Sequence, residues 1–364
     1  MSKLEKLIQQ YCPDGVEWKK IEELCKTKTP PCKLKTNEYQ EYGVYPIIDQ
    51  GQKPIAGYTD NEDALVDDGE YILYGDHTCI VKYHNGCFAQ GADGLKILIS
   101  PSNNSKYVYY AFCAYNLLST EYKRHWTQAK EIEIPVPPLP VQEKIVRILD
   151  TFTELQAELQ AELQKRQQQY NFYRDNLLSF EGRTDVQWKK LGKMCSILRG
   201  NRLTKAQLSS DGRYKVFHGG IEPIGRYDEC NREANTTMVI NVGASAGTVG
   251  FSKDMFWSSD GCFCLSHTPL FSGRYLYYYL QTREPYLMSR VRRAGIPTLD
   301  GKILEELIIP VPPVNEQNRI VSILDRFDTL TTDLSQGLPA EIEKRRQQYE
   351  YYRDKLLTFK QKEA

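Results

Sequence analysis

A long helical pattern of hydrophobic residues follows Pro140. Apolar side chains recur there at steps of three and four residues, which is the spacing of one face of an α-helix. The positions are Ile148, Phe152, Leu155, Leu159, Tyr170, Tyr173, Leu177 and Phe180. The pattern predicts a helix over residues 141–180, about 60 Å long at 1.5 Å per residue. Gly182 is well placed to end it.

A second helical pattern occupies the C-terminal tail. Its apolar positions are Ile320, Ile323, Phe327, Leu330, Leu334, Ile342, Tyr349, Tyr352, Leu356 and Phe359. Asn315 is a favourable N-cap for this helix. Gly337 and Pro339 lie inside the pattern, where proline costs about 3 kcal/mol, so we expect an interruption near Leu338. Two matching apolar stripes in one chain predict that the two helices pack as an antiparallel pair.

Both patterns belong to a long internal repeat. Residues 134–152, IPVPPLPVQEKIVRILDTF, return 175 residues later as IPVPPVNEQNRIVSILDRF. A second block, KRQQQYNFYRDNLLSF, ends at Phe180 and returns 179 residues later as KRRQQYEYYRDKLLTF, which ends at Phe359. Such a long period predicts two pseudo-symmetric halves rather than a solenoid of short units. The four-residue difference coincides with the interruption that we expect near Leu338.

The stretches before the two tails indicate mixed structure. Short β-type runs with glycine turns cover residues 70–81 and 238–251, and helical patterns follow at 106–118 and 274–288. The repeat extends into these stretches. The matched positions include VEWKK with VQWKK, Ile72 and Gly75 with Ile240 and Gly243, Asp93-Gly94 with Asp260-Gly261, and YVYY from Tyr107 with YLYY from Tyr275.

The predicted fold class is therefore α+β. It consists of two pseudo-symmetric mixed α/β domains separated by two long antiparallel coiled-coil helices. The predicted boundaries are 1–139 for the first domain, 140–181 for the central helix, 182–313 for the second domain and 314–360 for the C-terminal helix. The tyrosine-rich segments 107–110 and 275–279 are expected to be core and rim positions rather than stacking platforms.

Composition narrows the functional classes only slightly. The 47 basic and 47 acidic residues balance, so a nucleic-acid partner would need local basic patches. No apolar run is long enough for a membrane span and no signal-peptide core is present, which predicts a cytoplasmic protein. The ten cysteines have irregular spacing and are expected to be free thiols.

The sequence contains no convincing catalytic motif. The segment 243–247 satisfies GxSxG, but the residues after it continue as a strand, whereas a nucleophile elbow leads into a helix. His77, Cys79, His84 and Cys87 have a spacing that could hold zinc, yet the second half has no equivalent set. Ordinary strand residues are the favoured interpretation, and no nucleotide-binding glycine loop is evident. We therefore predict no catalytic residue, metal or cofactor in this chain.

Clusters of basic and amide side chains point instead to nucleic-acid binding. Such side chains reach phosphates and base edges. The candidates are Lys33, Lys35, Lys123, Arg124, Trp126 and Gln128 in the first half, and Arg199, Asn201, Arg202, Lys205, Arg292 and Arg293 in the second. For any single residue of this set, a solvated basic surface is the alternative interpretation.

The paired IPVPP segments, the QEKIVRILD and EQNRIVSILD helix starts, and the two YRD-containing helix ends closely resemble the specificity subunit of type I restriction-modification systems. The likeness covers nearly the whole chain. It implies two target recognition domains that each read half of a split double-stranded DNA site, and a helical pair that docks two methyltransferase subunits. In that family the methyltransferase carries S-adenosylmethionine, and restriction subunits cut the DNA. The sequence neither requires nor excludes a restriction subunit in this system.

The resemblance adds further site residues. A middle glycine segment and a late Gly/Thr loop of the recognition domains correspond here to residues 244–247 and 295–298, which adds Ser245 and Thr298 as DNA-binding candidates. The first half departs from the late loop, since residues 124–128 contain no glycine. The helix ends supply four partner-binding candidates: Tyr173, Arg174, Tyr352 and Arg353.

Two geometric expectations follow from this arrangement. The first helix contains LQAELQAELQ over residues 155–164, and each four-residue unit would lengthen it by about 6 Å. If helix length sets the distance between half-sites, inserting one unit should lengthen the unread spacer. Pseudo-symmetry also predicts that the two chain termini lie near each other.

Two other functional classes remain open at the sequence level. The chain could be a self-sufficient DNA-modifying enzyme, although it lacks an (N/D)PP(Y/F) methylase motif. It could also be a coiled-coil scaffold with protein-binding end domains, and the basic turns weigh against that interpretation.

Overall fold

The computed structural model describes residues 3–116, 123–266, 268–269, 271–332 and 337–362. Its contacts divide the chain into two compact units. Unit 1 comprises Met1–Leu159 and Ile342–Ala364, and unit 2 comprises Gln160–Glu341. This division shares the long helices between the units, whereas the sequence separates helices from globular parts. The predicted domain boundaries therefore stay a prediction.

Unit 1 is built from short strands and a few helices. Its elements up to the long helix are α1 (Lys3–Tyr11), β1 (Glu17–Lys20), α2 (Ile21–Leu24), β2 (Lys26–Lys28), β3 (Tyr45–Ile48), β4 (Gly57–Thr59), β5 (Leu65–Val66), β6 (Glu70–Gly75), β7 (Val81–Asn85), β8 (Phe88–Gln90), β9 (Leu95–Ile99), α3 (Ser105–Tyr115), α4 (Trp126–Ala129) and β10 (Glu133–Val136). The long helix α5 (Leu139–Leu177) follows.

Unit 2 repeats this order of elements. They are β11 (Gln187–Lys190), β12 (Ile197–Arg199), β13 (Tyr214–Phe217), β14 (Pro223–Tyr227), β15 (Thr236–Ile240), β16 (Val249–Ser252), β17 (Phe256–Ser258), β18 (Cys262–Leu265), α6 (Gly273–Gln281), α7 (Glu284–Ser289), α8 (Gly301–Glu306), β19 (Ile308–Val311) and α9 (Val314–Thr332). The last helix is α10 (Leu338–Leu357).

The sheets match between the units. The order β2-β9-β6-β7 in unit 1 corresponds to β12-β18-β15-β16 in unit 2, and the pair β1-β10 corresponds to β11-β19. The remaining sheets, β4-β3-β8-β5 and β14-β13-β17, each contain a parallel pair, β3 with β8 and β13 with β17. The predicted α+β class with two pseudo-symmetric parts is confirmed.

Each unit has one main apolar core between its sheet, its tyrosine-rich helix and the long helices. In unit 1 the core includes Ile72, Phe112 and Leu149, and Leu356 of α10 joins it. In unit 2 it includes Val239 and Leu324, and the tyrosines of α6 are largely buried in it. The prediction that the tyrosine-rich segments are core and rim positions is therefore confirmed.

A buried glutamine fixes the start of the long helix in each unit. Gln142 donates from Nε2 to the carbonyl oxygen of Pro137 at 2.7 Å and accepts from the main-chain N–H of Asn104 at 3.0 Å. Gln317 makes the equivalent contacts with Pro312, at 2.9 Å, and with Ser272, at 3.3 Å. Because buried amides are costly without partners, these bonds tie the helix to the cap of the tyrosine helix.

The tyrosine helices carry a second repeated anchor. The hydroxyl group of Tyr110 donates to Asp150 at 2.7 Å in unit 1, and that of Tyr278 donates to Asp325 at 2.6 Å in unit 2. A basic side chain on the same helix, Lys106 or its counterpart in unit 2, also binds the same aspartate. The anchors lie on the best matched parts of the repeat, which explains why these parts match.

Helix α5 contributes to both units, and its two halves pack against different helices. In unit 1, Phe152 stacks on Tyr352 of α10 with ring centroids 5.4 Å apart. In unit 2, Tyr173 stacks on Phe327 of α9 with centroids 5.5 Å apart. The earlier residue of α5 therefore contacts the later helix of the second tail, and the later residue contacts the earlier helix. This reversed order confirms the antiparallel pairing.

The helix ends differ in detail from the sequence prediction. Helix α5 ends at Leu177, and Gly182, with φ +76°, lies in the turn that follows rather than at the helix end. The single helix predicted over 274–288 is two helices, α6 and α7, and α3 ends at Tyr115. Of the rest of the predicted 106–118 helix, residues 117 and 118 lie outside the described part.

The second tail contains two helices, as Pro339 led us to expect. Helix α9 ends at Thr332 and α10 begins at Leu338, with Pro339 in its first turn, where a proline is tolerated. Residues 333–336, which include Leu334 of the predicted stripe, are not described. Asn315 lies inside the first turn of α9 rather than before it, and its Oδ1 accepts from the N–H of Glu316 at 2.9 Å.

The predicted approach of the termini is confirmed within unit 1. The N–H of Val16 donates to the carbonyl oxygen of Lys360, and the N–H of Lys362 donates to the carbonyl oxygen of Val16, both at 2.9 Å. Gly15 allows this closure because it has φ +97° and because a Cβ there would lie 2.5 Å from the Lys360 oxygen. The end of the chain thus pairs with the start of the first globular part.

The predicted equivalences of Ile72 with Ile240 and of Gly75 with Gly243 are both out of register by three residues. The sequence matched Gly75 with Gly243, but Asp76 and Asn241 occupy equivalent places, because the N–H of each donates to the carbonyl oxygen of the matched Gly94 or Gly261. The predicted match of Gly94 with Gly261 is confirmed. Gly75 is the last residue of strand β6, whereas Gly243 lies in the turn 243–247. Within the described chain, no helix is both long enough and apolar enough to cross a membrane.

Candidate nucleic-acid interface

The GxSxG segment of unit 2 is a hairpin turn. Gly243 and Gly247 have φ +93° and +96°, and strand β16 follows directly after the turn. The carbonyl oxygen of Ser245 accepts from the N–H of Thr248 at 3.1 Å, which closes the turn. A nucleophile elbow needs a helix at this point, so the segment presents a polar loop and not a catalytic serine.

A second polar loop of unit 2 is the hairpin 292–298. Arg292 and Thr298 exchange main-chain hydrogen bonds of 2.9 and 3.0 Å, and Gly295, with φ +79°, lies near the tip. The N–H of Gly243 donates to the carbonyl oxygen of Pro297 at 3.0 Å. The hairpin is therefore attached directly to the turn 243–247.

A third polar loop of unit 2, residues 199–205, begins at the end of strand β12. Arg199 donates from Nε to the carbonyl oxygen of Asp260 at 3.2 Å, and the N–H of Asn201 donates to the carbonyl oxygen of Ser258 at 3.0 Å. The indole N–H of Trp257 donates to the carbonyl oxygen of Asn201 at 2.9 Å. These contacts hold the loop 199–205 against the end of β17.

A histidine that the sequence did not single out joins these loops. Nδ1 of His218 lies 3.4 Å from Oδ1 of Asp260 and 3.2 Å from the hydroxyl oxygen of Ser259. A Cβ on Gly261 would lie 2.7 Å from the N–H nitrogen of Gly219, so the two chain segments are in close contact. The only sequence signal for this contact was the repeated Asp-Gly pair. We call residues 199–205, 218–219, 243–247, 259–261 and 292–298 the unit 2 loop face.

The unit 2 loop face carries exposed positive charge. Arg202, Lys205, Arg292 and Arg293 are exposed, and their side chains form no ion pair within the part of the chain that the structure describes. Uncompensated cations attract phosphate groups, and their neutralisation releases counterions from DNA. The structure thus brings together Arg199, Asn201, Ser245, Arg292 and Thr298 in one chain of contacts, with Arg202, Lys205 and Arg293 adjacent in sequence.

In unit 1, an acidic side chain compensates part of the positive charge of the candidate DNA-binding residues. Nζ of Lys33 lies 2.6 Å from Oδ1 of Asp93, and the hydrogen bond and charge of Lys33, with a smaller contribution from Arg124, lower the pKa of that carboxyl group. Lys35 is exposed, and its main-chain N–H donates to Glu38 at 2.6 Å. Lys33 and Arg124 are therefore brought to one place, around an acidic side chain.

Trp126 is held by contacts within unit 1. Its ring packs against Tyr74 with centroids 5.6 Å apart, and its main-chain N–H donates to Oδ1 of Asp76 at 2.8 Å. The indole is half-buried against the unit 1 core. Lys123 and Gln128 are exposed near it. DNA contacts by these residues stay a prediction.

The described residues contain no group of three or more His, Cys, Asp or Glu side chains arranged to hold a metal ion. His84 lies 3.4 Å from the carbonyl oxygen of Cys87, and burial lowers the pKa of its imidazole. Cys79 is buried with φ +56°. These residues are parts of the hairpin between β6 and β8.

The partner-binding candidates lie on the long helices. Tyr173 and Tyr352 use one face of each ring to stack on Phe327 and Phe152, while Arg174 and Arg353 pair with the aspartates next to them, at 2.9 and 2.7 Å. The sequence missed two more exposed aromatic residues beside these tyrosines. Phe172 is 65% exposed and Tyr351 is 62% exposed, and each packs edge-on against its neighbouring tyrosine.

Comparisons with known proteins agree with this architecture. The family model for the type I restriction modification DNA specificity domain matches residues 13–166 and again 184–344. The chain is 33% identical to the type I restriction enzyme EcoR124I/EcoR124II specificity subunit of Escherichia coli, over 100% of this chain and 98% of that protein.

Two solved structures share the fold. One is the S subunit of a type I restriction-modification system from M. genitalium, with TM-score 0.65, 20% identity and coverage of 94% of this chain and 95% of that one. The other belongs to a study of complex assembly in a type I restriction-modification system, with TM-score 0.60, 16% identity and coverage of 95% and 98%.

Proposed function

This chain belongs to the family of type I restriction-modification DNA specificity subunits, and from that membership we propose that it reads a bipartite double-stranded DNA site. Each unit contacts one half-site. The sequence between the half-sites is unread. The chain supplies recognition, while methyl transfer and DNA cleavage belong to partner subunits.

The unit 2 loop face is the observation that carries this proposal. Its four exposed cations lie beside loops that are fixed by main-chain hydrogen bonds, so phosphate contacts can set the register and neighbouring side chains can meet base edges. In unit 1, Lys35, Lys123 and Arg124 supply the equivalent charge, and Lys33 becomes available if DNA phosphate replaces its contact with Asp93.

The long helices supply the partner surface. The three-ring sets Phe172–Tyr173–Phe327 and Tyr351–Tyr352–Phe152 repeat in the two units, each with one largely exposed ring. Exposed aromatic side chains held by stacking are effective anchors for a protein interface. Two equal surfaces fit two methyltransferase subunits, which bring S-adenosylmethionine, and restriction subunits join where the system has them.

Co-expression with the methyltransferase partner, followed by genome-wide mapping of methylated adenine, tests the proposal. We expect one motif made of two short half-sites with an unread spacer. Methylation by the purified single chain would instead indicate a self-sufficient enzyme. Absence of DNA binding by the complex would favour a protein-binding scaffold.

A charge variant tests the unit 2 loop face directly. Arg293→Gln should weaken binding to all sequences about equally and lower the salt dependence of the binding constant by about one unit of slope, because one phosphate contact is lost. Lys193→Gln is the matched control, since Lys193 is an exposed cation of unit 2 outside the loop face. An unchanged slope for Arg293→Gln would place DNA elsewhere.

A further inference from the structure

The unit 2 loop face carries a largely exposed isoleucine. Ile296 is 69% exposed and follows Gly295 in the hairpin 292–298. The left-handed φ of Gly295 allows the tight turn, and the space beside this glycine is open. Presenting a large apolar side chain in this way gains little for folding, because most of its surface stays in water.

The hairpin holds this side chain in a fixed place. Its two ends are joined by the pair of hydrogen bonds between Arg292 and Thr298, and Thr298 also bridges to Val242. The next residue, Leu299, is 1% exposed and donates from its N–H to the carbonyl oxygen of Asn241 at 2.8 Å. A preorganised loop loses little conformational entropy when it binds.

The surroundings of Ile296 indicate what it meets. Arg292 and Arg293 lie on the same hairpin, are exposed and form no ion pair within the described residues. Exposed arginines at this position favour contact with a phosphate backbone beside the tip. Of the groups that base pairs present in the major groove, the C5-methyl group of thymine is the apolar one.

We propose that Ile296 is a specificity-determining residue that packs against the C5-methyl group of one thymine in the half-site read by unit 2. This inference rests on the proposed function. Phosphate contacts by the neighbouring arginines position the hairpin, and Ile296 adds discrimination at one base pair.

Uracil substitution tests the contact, because uracil differs from thymine only in lacking the methyl group. The complex of this chain with its methyltransferase is titrated with duplexes in which each thymine of the mapped motif is replaced in turn. For the unaltered chain we expect one replacement to weaken binding about fourfold, the effect of leaving roughly one methyl group's area unburied.

The same duplexes are then tested with Ile296→Ala. This variant should bind the thymine duplex about fourfold more weakly and lose its sensitivity to uracil at that one position, which is the sign of a direct contact. Ile308→Ala is the matched control, since Ile308 is a 55% exposed isoleucine of unit 2 on β19, and it should retain the sensitivity.

Several outcomes would overturn the inference. They are a motif without thymine in either half-site, no uracil position that weakens binding, and full uracil sensitivity in Ile296→Ala. Loss of binding by Ile296→Ala without any uracil effect would instead indicate a wedge between base pairs. If the unaltered complex shows no sequence-specific binding at all, the proposed function itself fails, which is a distinguishable result.

Discussion

Units 1 and 2 keep the same buried polar contacts and differ in their loops. Gln142 and Gln317 bind the same kind of carbonyl group, and Asp150 and Asp325 accept from the same tyrosine position. By contrast, the positive charge of Lys33 is compensated by an aspartate in unit 1, whereas the arginines of the unit 2 hairpin stand without a counterion among the described residues. The repeat preserves what holds a unit together and varies what the unit presents to its ligand.

The comparison predicts that a change in the helices alters spacing but not the bases read. Insertion of one LQAE unit after Glu162 lengthens α5 by about 6 Å, which corresponds to one or two base pairs along B-DNA. We expect methylation of the original motif to disappear and the same half-sites to be methylated with a spacer longer by one or two base pairs. Methylation sequencing in cells that carry the partner subunit measures this.

A variant of unchanged length is the control for the insertion. Gln160→Ala with Gln164→Ala alters two exposed positions of the same repeat and should leave the spacer as it was. An unaltered spacer in the insertion variant would show that α5 length does not set the half-site distance.

The second prediction concerns the one anchor that differs between the units. Arg274 is 13% exposed at its side chain, binds Asp325 at 2.6 Å and Asp328 at 2.5 Å, and lies 4.7 Å from the ring centre of Phe251. Arg274→Met should destabilise unit 2 by about 3 kcal/mol, because it removes a largely buried guanidinium group from its ion pairs with Asp325 and Asp328.

The equivalent change in unit 1 should cost less. Lys106 is 36% exposed and forms one ion pair among the described residues, with Asp150, so Lys106→Met should cost about 1 kcal/mol or less. Hydrogen exchange of strands β15 and β6, read by mass spectrometry in the two variants, separates the effects by unit. Equal losses would mean that the two anchors are energetically the same.

The third prediction compares the two glycines before the globular parts. Gly15→Ala should cost about 2 kcal/mol, because a Cβ would be strained at φ +97° and would collide with the Lys360 oxygen. Gly182→Ala should cost only about 1 kcal/mol, since its φ is +76° but the space around it is open. Trypsin cleavage after Lys360 should accelerate in Gly15→Ala alone, and similar rates in both variants would contradict the closure.

The smallest expected effect is a pH dependence at the start of α9 that the matching start of α5 lacks. Hydrogen bonds from Arg319, and also from Arg183, lower the pKa of Glu316 to about 2, whereas the equivalent position in unit 1 is the buried Val141. A lowered pKa stabilises the fold above the unfolded value of about 4.5, and this contribution is lost as the pH falls towards 2.

Glu316→Gln should therefore lose less than about 1 kcal/mol at pH 7 and nothing near pH 2. The difference in thermal unfolding midpoint between this variant and the unaltered chain, followed from pH 7 downward, measures the effect. A difference that grows as the pH falls would contradict the assignment.

The sequence predicted the helices well because their signal is local. The stripe through Phe152 and Tyr173 repeats every three or four residues, and the break at Pro339 follows from the missing N–H of one residue. The same stripe placed the end of α5 three residues too late, since capping depends on contacts beyond the pattern.

The anchors and the loop face could not be read in the same way. Gln142 looks like any polar residue near a helix start, and its burial depends on Pro137 and Asn104, which come from other elements. The register error between Gly75 and Gly243 arose because identity of residues does not show which of them bonds to the Asp-Gly turn. The half-burial of Trp126 could not be read from the sequence either, because Tyr74, which packs on its ring, lies far away in sequence.

The division of the chain into units has a consequence for the order of folding during synthesis. Unit 2 is one continuous stretch, whereas the core of unit 1 includes Leu356 and Leu357, which the ribosome adds nearly 200 residues after Leu159. At roughly 5 to 20 residues per second, the first unit waits on the order of 10 to 40 s for its last helix. The unit whose residues are made first is thus the last to be completed, and a nascent chain passes through a stage in which only the second unit is whole.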